Sequence, residues 1–171
     1  MELETARLRL RLWRDEDLDA IARWHADPVV MRHMGRGPMT HEESAAALDR
    51  YRLHWDEHGF GFWAAELRET GELVGRIGPS YHRAWPGDPE LGWLIDPVHA
   101  GLGLATEGGA AGAEYGFGVL GAQRLVSICV EENAASRRVM EKLGFRLHER
   151  VPFEPLGITL WVHALDATEQ Q

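Results

Sequence analysis

Asp96-Pro97-Val98-His99-Ala100-Gly101-Leu102-Gly103-Leu104-Ala105-Thr106-Glu107 decides how this chain is read. A strand-like run, Glu90 to Ile95, leads into it, and a helical run from Leu104 to about Val119 leads out. Small residues at such a handover let the backbone approach a ligand closely, and the first amides of the helix point outward without partners. With the helix dipole added, the turn makes a cradle for a diphosphate. A tight strand-to-helix turn with no ligand has the same composition, so the fragment alone leaves both readings open. A dinucleotide fingerprint would need glycine where Thr106 stands, and a Walker loop would need Gly-Lys-Ser/Thr; neither is present.

Upstream, Arg7-Leu8-Arg9-Leu10-Arg11-Leu12 alternates as a strand with one buried face, its arginines on the wet side. Asp15 is placed to cap a helix running to about Ala26, which stops before Asp27-Pro28. Thr40 and Glu43 have capping-box spacing ahead of a second helix, Glu42 to Glu57, ended by Gly59. Phe60 to Leu67 and Leu73 to Tyr81 read as a hairpin, and Trp85-Pro86-Gly87-Asp88-Pro89 as a loop.

Downstream, Arg124 to Val130 is a strand and Ala134 to Leu143 a helix with Gly144 as its C-terminal cap. Phe145 to Phe153 and Ile158 to Ala164 are strands. The order is β-αα-βββ-α-β-α-ββ, an α/β sheet domain over residues 1–165, with a frayed tail at 166–171.

The 171 residues suffice for one domain with its own core, and 44% hydrophobic with 26% charged residues is ordinary globular composition. A net charge of −9 argues against nucleic-acid or anionic-membrane partners and favours a cationic acceptor. Cys129 is the only cysteine, which suits a reducing cytoplasm, and no apolar run resembles a secretory signal or a membrane span. His54 and His58 lie one helical turn apart, but neither a following glutamate nor a third ligand accompanies them, so no metal is expected.

Gly101-Leu102-Gly103-Leu104-Ala105-Thr106-Glu107, then Asn133-Ala134-Ala135-Ser136, then Glu141-Lys142-Leu143-Gly144-Phe145 together resemble the GNAT N-acetyltransferase superfamily. The opening Thr5-Ala6-Arg7-Leu8-Arg9-Leu10-Arg11 and Gly61-Phe62-Trp63-Ala64 look like its RimJ/RimL branch, named for ribosomal-protein N-terminal acetyltransferases. The resemblance implies a mixed, mostly antiparallel sheet of about seven strands, splayed at the cofactor site and flanked by about four helices. Acetyl-CoA would lie in that split. Its pantetheine would pair with Trp93, Leu94 and Ile95, and its diphosphate would sit on amides of Gly101, Leu102, Gly103, Leu104, Ala105 and Thr106. Asn133 and Ser136 would face it from the other side, with Arg137 supplying charge. Ala100 and Leu102 depart from the family pattern, which commonly has basic or amide side chains there.

Glu90 could accept the proton of an ammonium acceptor, or merely pair with a surface arginine. Amides of Leu94 or Ile95 could hold a developing oxyanion. The resemblance implies a tyrosine proton donor where Met140 stands, and methionine cannot donate. Ser136, one turn earlier, could orient the sulfur or bond back to a carbonyl. Asn133 could cap its helix and bind cofactor at once.

The acceptor pocket is expected from the first two helices, the connection Val29 to Met39 and the loop Val151 to Gly157. Trp24, His25, Met31, His33, Trp55 and Trp85 are candidates to line it. The implied reaction is transfer of acetyl from acetyl-CoA to a protein N-terminus or small-molecule amine, with a homodimer possible by analogy. Met140 also motivates an alternative, a non-catalytic acyl-CoA-binding or regulatory protein on the same fold.

Overall fold

In the computed structural model, residues 1–170 are described. The elements run β1 (Leu3–Glu4), β2 (Leu8–Arg11), α1 (Leu18–Ala26), α2 (Pro28–Met31), α3 (His41–His58), β3 (Trp63–Leu67), β4 (Leu73–His82) and β5 (Trp85–Ile95). They continue with α4 (Leu104–Gly118), β6 (Arg124–Val130), α5 (Ala134–Lys142), β7 (Arg146–Phe153) and β8 (Ile158–Asp166). One eight-stranded sheet has the order β1-β2-β3-β4-β5-β6-β8-β7. All neighbours are antiparallel except β5 and β6, which meet in parallel at the single register pair Glu90↔Val126. Beyond Glu90, β5 leaves β6, and the sheet opens into the expected splay.

Side-chain alternation sends Ile77 and Trp93 to one face of the sheet and Arg76 and Leu94 to the other. The α4 helix covers the first face at unusually close range. A Cβ on Gly108 would stand 2.4 Å from the Ile77 side chain, and one on Gly112 2.7 Å from Leu91. Helical glycine costs roughly 1 kcal/mol relative to alanine, and here contact with the sheet requires it. The second face is covered by α1 and α3, where Trp13, Ile21, Trp24, Leu48, Ala64 and Leu94 form one apolar cluster. The Thr40–Glu43 capping box starts α3, and Gly59, at φ 73°, ends it.

Several elements differ from the sequence expectation. Leu3–Glu4 adds a strand by pairing with Leu10 and Arg9, and Pro28–Met31 adds a helical turn. Trp85–Pro89 belongs to β5 rather than to a loop. Trp85 pairs with His82, and the residues up to Pro89 bulge before Glu90 pairs with Ser80. Arg11 is not on a wet face. It is 3% exposed and donates to both Asp17 oxygens at 2.8 Å and to Glu66 at 2.7 Å. Asp15 does not cap α1: it opens a 3-10 turn, Asp15–Asp17, in which Asp17 accepts from the Arg14 amide at 2.8 Å, and α1 follows directly. At the other end Asp166 still belongs to β8 and pairs with Arg124 at 2.7 Å, while Gln171 lies outside the described residues.

Candidate active site

The end of β5 is held by Asp96, which is 4% exposed. Its carboxylate accepts from Trp24 Nε1 at 2.7 Å, Arg23 Nη2 at 2.8 Å and the Val98 amide at 3.0 Å. Burial pushes its pKa up, but these donors outweigh burial and hold it below the usual aspartate value. A 3-10 turn, Pro97–His99, then leads to Gly101 and Gly103, at φ 80° and 82°, a left-handed backbone natural only to glycine. Gly103 caps α4 with no side-chain hydrogen bond. Amides from Gly101 to Thr106 have no hydrogen-bond partner among the described residues. Gly101, Leu102 and Gly103 are exposed, Ala105 and Thr106 half-buried, and the Leu104 side chain is anchored in the core. The array has the geometry of an anion cradle.

Sequence reasoning missed the arginine beside it. Arg7 Nη1 donates to the Leu102 carbonyl at 2.8 Å, and Arg7 Nε meets Glu107 at 2.6 Å. Its position in the alternating β2 approach was the available signal, but only the fold brings it to the turn.

A cavity of about 270 Å³ opens where β5 and β6 separate. Glu90, Gly92 and Trp93 line one wall, Ser127 to Val130 another, and Asn133, Ser136 and Met140 of α5 a third. Glu90 is partly buried, and burial raises its pKa above the usual glutamate value against the pull of His82, Arg76 and the Ile128 amide. Asn133 Oδ1 accepts from the Ser136 amide at 3.1 Å and so caps α5, leaving its side-chain amide free. The Ser136 hydroxyl makes no hydrogen bond among the described residues, so it does not bond back one turn earlier. Met140 is buried among Leu91, Cys129 and Phe145 and brings no proton donor. Burial pushes the Cys129 thiol up to about 11, so it stays protonated. Arg137 does not line the cavity; its guanidinium lies 5.4 Å from the Trp161 ring, with Nε buried and unpaired. The side chain of Leu94 points into the α1/α3 cluster, and those of Trp93 and Ile95 are partly buried on the core, which leaves β5 backbone for the open edge.

The acceptor side uses the expected loops but mostly other residues. His33, Met34 and Gly35 of the α2–α3 connection, with Phe153 and Leu156, line the cavity. Of the residues expected there, only His33 does. Trp24 is 2% exposed and bonded to Asp96, and Met31 packs with Met39 and Ala47. His25 is buried with Nδ1 3.2 Å from Ser44 Oγ. These side chains are taken up by the end of β5 and by α3 with its approach, and are not left to a ligand. Trp55 donates to the Phe62 carbonyl at 3.0 Å, and Trp85 to Asp88 at 3.3 Å, so both indoles are engaged outside the cavity wall. The residue that sequence reading passed over is Arg76, the one charge in Leu73-Val74-Gly75-Arg76-Ile77-Gly78-Pro79-Ser80. It lines the cavity on the face shared with Ser80 and Glu90. Among the described residues, no group of three or more His, Cys, Asp or Glu is placed to hold a metal. No helix there is long and apolar enough to cross a membrane.

Residues 7–146 match the acetyltransferase (GNAT) domain family. The N-acetyltransferase YoaA of Bacillus subtilis is 34% identical over 151 residues, covering 84% of this chain and 82% of its own. The spermidine N(1)-acetyltransferase of Escherichia coli is 28% identical over 152 residues, covering 86% and 77%. An acetyltransferase structure from Agrobacterium tumefaciens superposes with a TM-score of 0.85 at 30% identity, over 96% of this chain and 94% of that one. RimJ of Mycobacterium smegmatis, solved in complex with CoA-disulfide, shares the fold at a TM-score of 0.76 and 21% identity, over 95% and 83%. With the splayed sheet, the glycine cradle and the capped α5 in place, these matches have one meaning: the chain belongs to the GNAT N-acetyltransferase family and is an acyltransferase.

Proposed function

We propose that the protein moves an acetyl group from acetyl-CoA to a primary amine by direct attack within a ternary complex. The observation that carries this reading is Glu90, a carboxylate of raised pKa on the cavity wall at the point where β5 and β6 part. The free amides from Gly101 to Thr106, with Arg7 alongside, suit the CoA diphosphate. The open edge of β5 from Trp93 to Ile95 suits pantetheine, with the side-chain amide of Asn133 opposite and Arg137 further along α5.

Glu90 takes the proton from the acceptor ammonium, directly or through water, so that a neutral amine meets the thioester carbonyl. Of the two expected backbone donors, Leu94 N–H points to β4, as the Asp96 N–H bond to the Val74 carbonyl fixes the ladder, so the Ile95 N–H holds the developing oxyanion. Ser136 orients the departing sulfur, and a thiol of pKa about 8.5 can leave as thiolate without a strong acid beside it. His33 belongs to the acceptor side. A single cysteine that is buried and protonated suits a reducing compartment, and we place the protein in the cytoplasm.

A calorimetric titration with acetyl-CoA, against NAD and ATP, followed by amine-dependent thiol release in wild type and Glu90→Gln, tests the reading. Selective binding and release that collapses in the variant support it. A folded sample that binds no acyl-CoA sinks it.

A further inference from the structure

We infer that Arg76 is the docking point for an anionic group on the acceptor, and that the preferred acceptors are amines carrying a carboxylate, of the amino-acid type. The inference rests on the acetyl-transfer reading above and names the substrate class of the same site.

Arg76 is 8% exposed, and none of its guanidinium nitrogens has a hydrogen-bond partner among the described residues; Nε and Nη1 are wholly shielded. No carboxylate among those residues makes a salt bridge with it, whereas Arg11, equally buried, has two. A buried guanidinium without a directly bonded counter-ion is costly; Glu90 attracts it only at a distance, and a stacked aromatic ring offsets only part of the cost. That ring is Phe62, 4.0 Å from the guanidinium carbon, with Tyr51 at 5.6 Å. Phe62 is itself fixed, because Trp13 and Trp55 both donate their indole N–H to its carbonyl, at 2.8 and 3.0 Å. The fold therefore holds on the cavity wall a guanidinium without a salt bridge among the described residues, with Nη2 its reachable nitrogen.

Only Nη2 is left to meet a ligand, and a carboxylate oxygen gives it a strong charge-assisted bond. Arg76 and Ser80 lie on the same face of β4, about 13 Å apart along the strand, and Ser80 pairs with Glu90 on β5. Gly78 and Gly92 face each other between them and are overlaid by the neighbouring strand approach: a Cβ on Gly92 would stand 3.0 Å from the Phe62 ring, and one on Gly78 2.7 Å from the Gly61 carbonyl. Phe62, Arg76 and Glu90 nonetheless line one cavity, so a ligand in it can bring an amine to Glu90 and an anion to Arg76. The whole-chain charge of −9, which by itself favours a cationic acceptor, is opposed at this wall.

The test uses N-acetyl-amino acids, the expected products, and their primary amides, titrated into CoA-saturated protein. Binding of acids at least tenfold tighter than the matching amides, lost in Arg76→Met and partly kept in Arg76→Lys, is the expected result. Equal affinity for acid and amide, binding of neither, or an acid preference that survives Arg76→Met overturns the inference. Thiol release with the free amino acids and their amides is measured in parallel. Acid-selective binding without any acetyl transfer would separate failure of the catalytic reading from failure of the Arg76 assignment. Thermal melts of both variants confirm the fold.

Discussion

Arg7 and Glu107, one hundred positions apart, are joined by a 2.6 Å contact from Nε to Oε2 that ties β2 to the first turn of α4. The same carboxylate accepts from the Arg7 amide at 2.7 Å and from Thr5 Oγ1 at 2.6 Å. Burial raises the Glu107 pKa, but these donors prevail and hold it below the ordinary glutamate value. The cradle amides thus begin a helix whose start is anchored to the sheet. Glu107→Ala is expected to cost about 1–2 kcal/mol in urea unfolding and to weaken acetyl-CoA binding several-fold. Unchanged affinity in a destabilised variant would show that the anchor serves the fold and not the cradle.

Arg11 carries a heavier structural duty. Its guanidinium spans Asp17 and Glu66 in a site that water barely reaches, and those two carboxylates raise its pKa further above the ordinary arginine value against the opposing effect of burial. Arg11→Met leaves two buried carboxylates without their cation, a loss of about 3–5 kcal/mol. Denaturant melts check this. Acetyl-CoA affinity of the remaining folded protein should be unchanged, because the network lies away from the cavity wall.

These two arginines mark where sequence reading stops. The turn from Gly101 to Thr106, the Thr40–Glu43 box and the Asn133 cap were legible because each is fixed by residues within a few positions. Arg11 and Arg7 sit in one alternating run that looks uniformly wet. Their fates are decided by Glu66 and Glu107, far along the chain. Likewise Trp24 and His25 of α1 and Met31 of α2 were expected on the acceptor side, but the fold turns Trp24 to Asp96 and packs His25 and Met31 against Ser44, Met39 and Ala47. Arg76 was visible only as a charge within a strand of small and apolar residues.

His25 gives the fold a pH dependence. Burial, reinforced by Arg76, Arg36 and Arg50, depresses its pKa from 6.5 to about 4. The unfolded chain then binds a proton more readily than the folded one. The contribution is therefore complete above pH 6.5 and is lost as pH falls through about 4. The full loss is at most about 3 kcal/mol. Unfolding free energies measured from pH 7 to 4 should fall more steeply in wild type than in His25→Gln. His54 and His163, whose pKa values are also lowered, contribute equally to both proteins. Parallel curves would clear His25 of the effect.

Glu90 should set the acid limb of catalysis. As a base it works only ionised, and burial lifts its pKa above the ordinary glutamate value, opposed in part by His82, Arg76 and the Ile128 amide. The expected profile of kcat/KM for the amine falls as pH drops through that raised value, where a solvent-exposed glutamate would stay ionised to lower pH. Glu90→Gln should lose roughly 10²–10⁴ in kcat/KM at the plateau and lose the limb itself, while binding acetyl-CoA as before. What then remains is the rise from deprotonation of the free amine, at higher pH and shifting with each amine's own pKa. That dependence separates the two titrations, because a limb belonging to Glu90 stays fixed when the acceptor is changed. A limb that moves with the acceptor in wild type, or persists in Glu90→Gln, would assign proton removal to water and leave Glu90 a structural carboxylate at the mouth of the split.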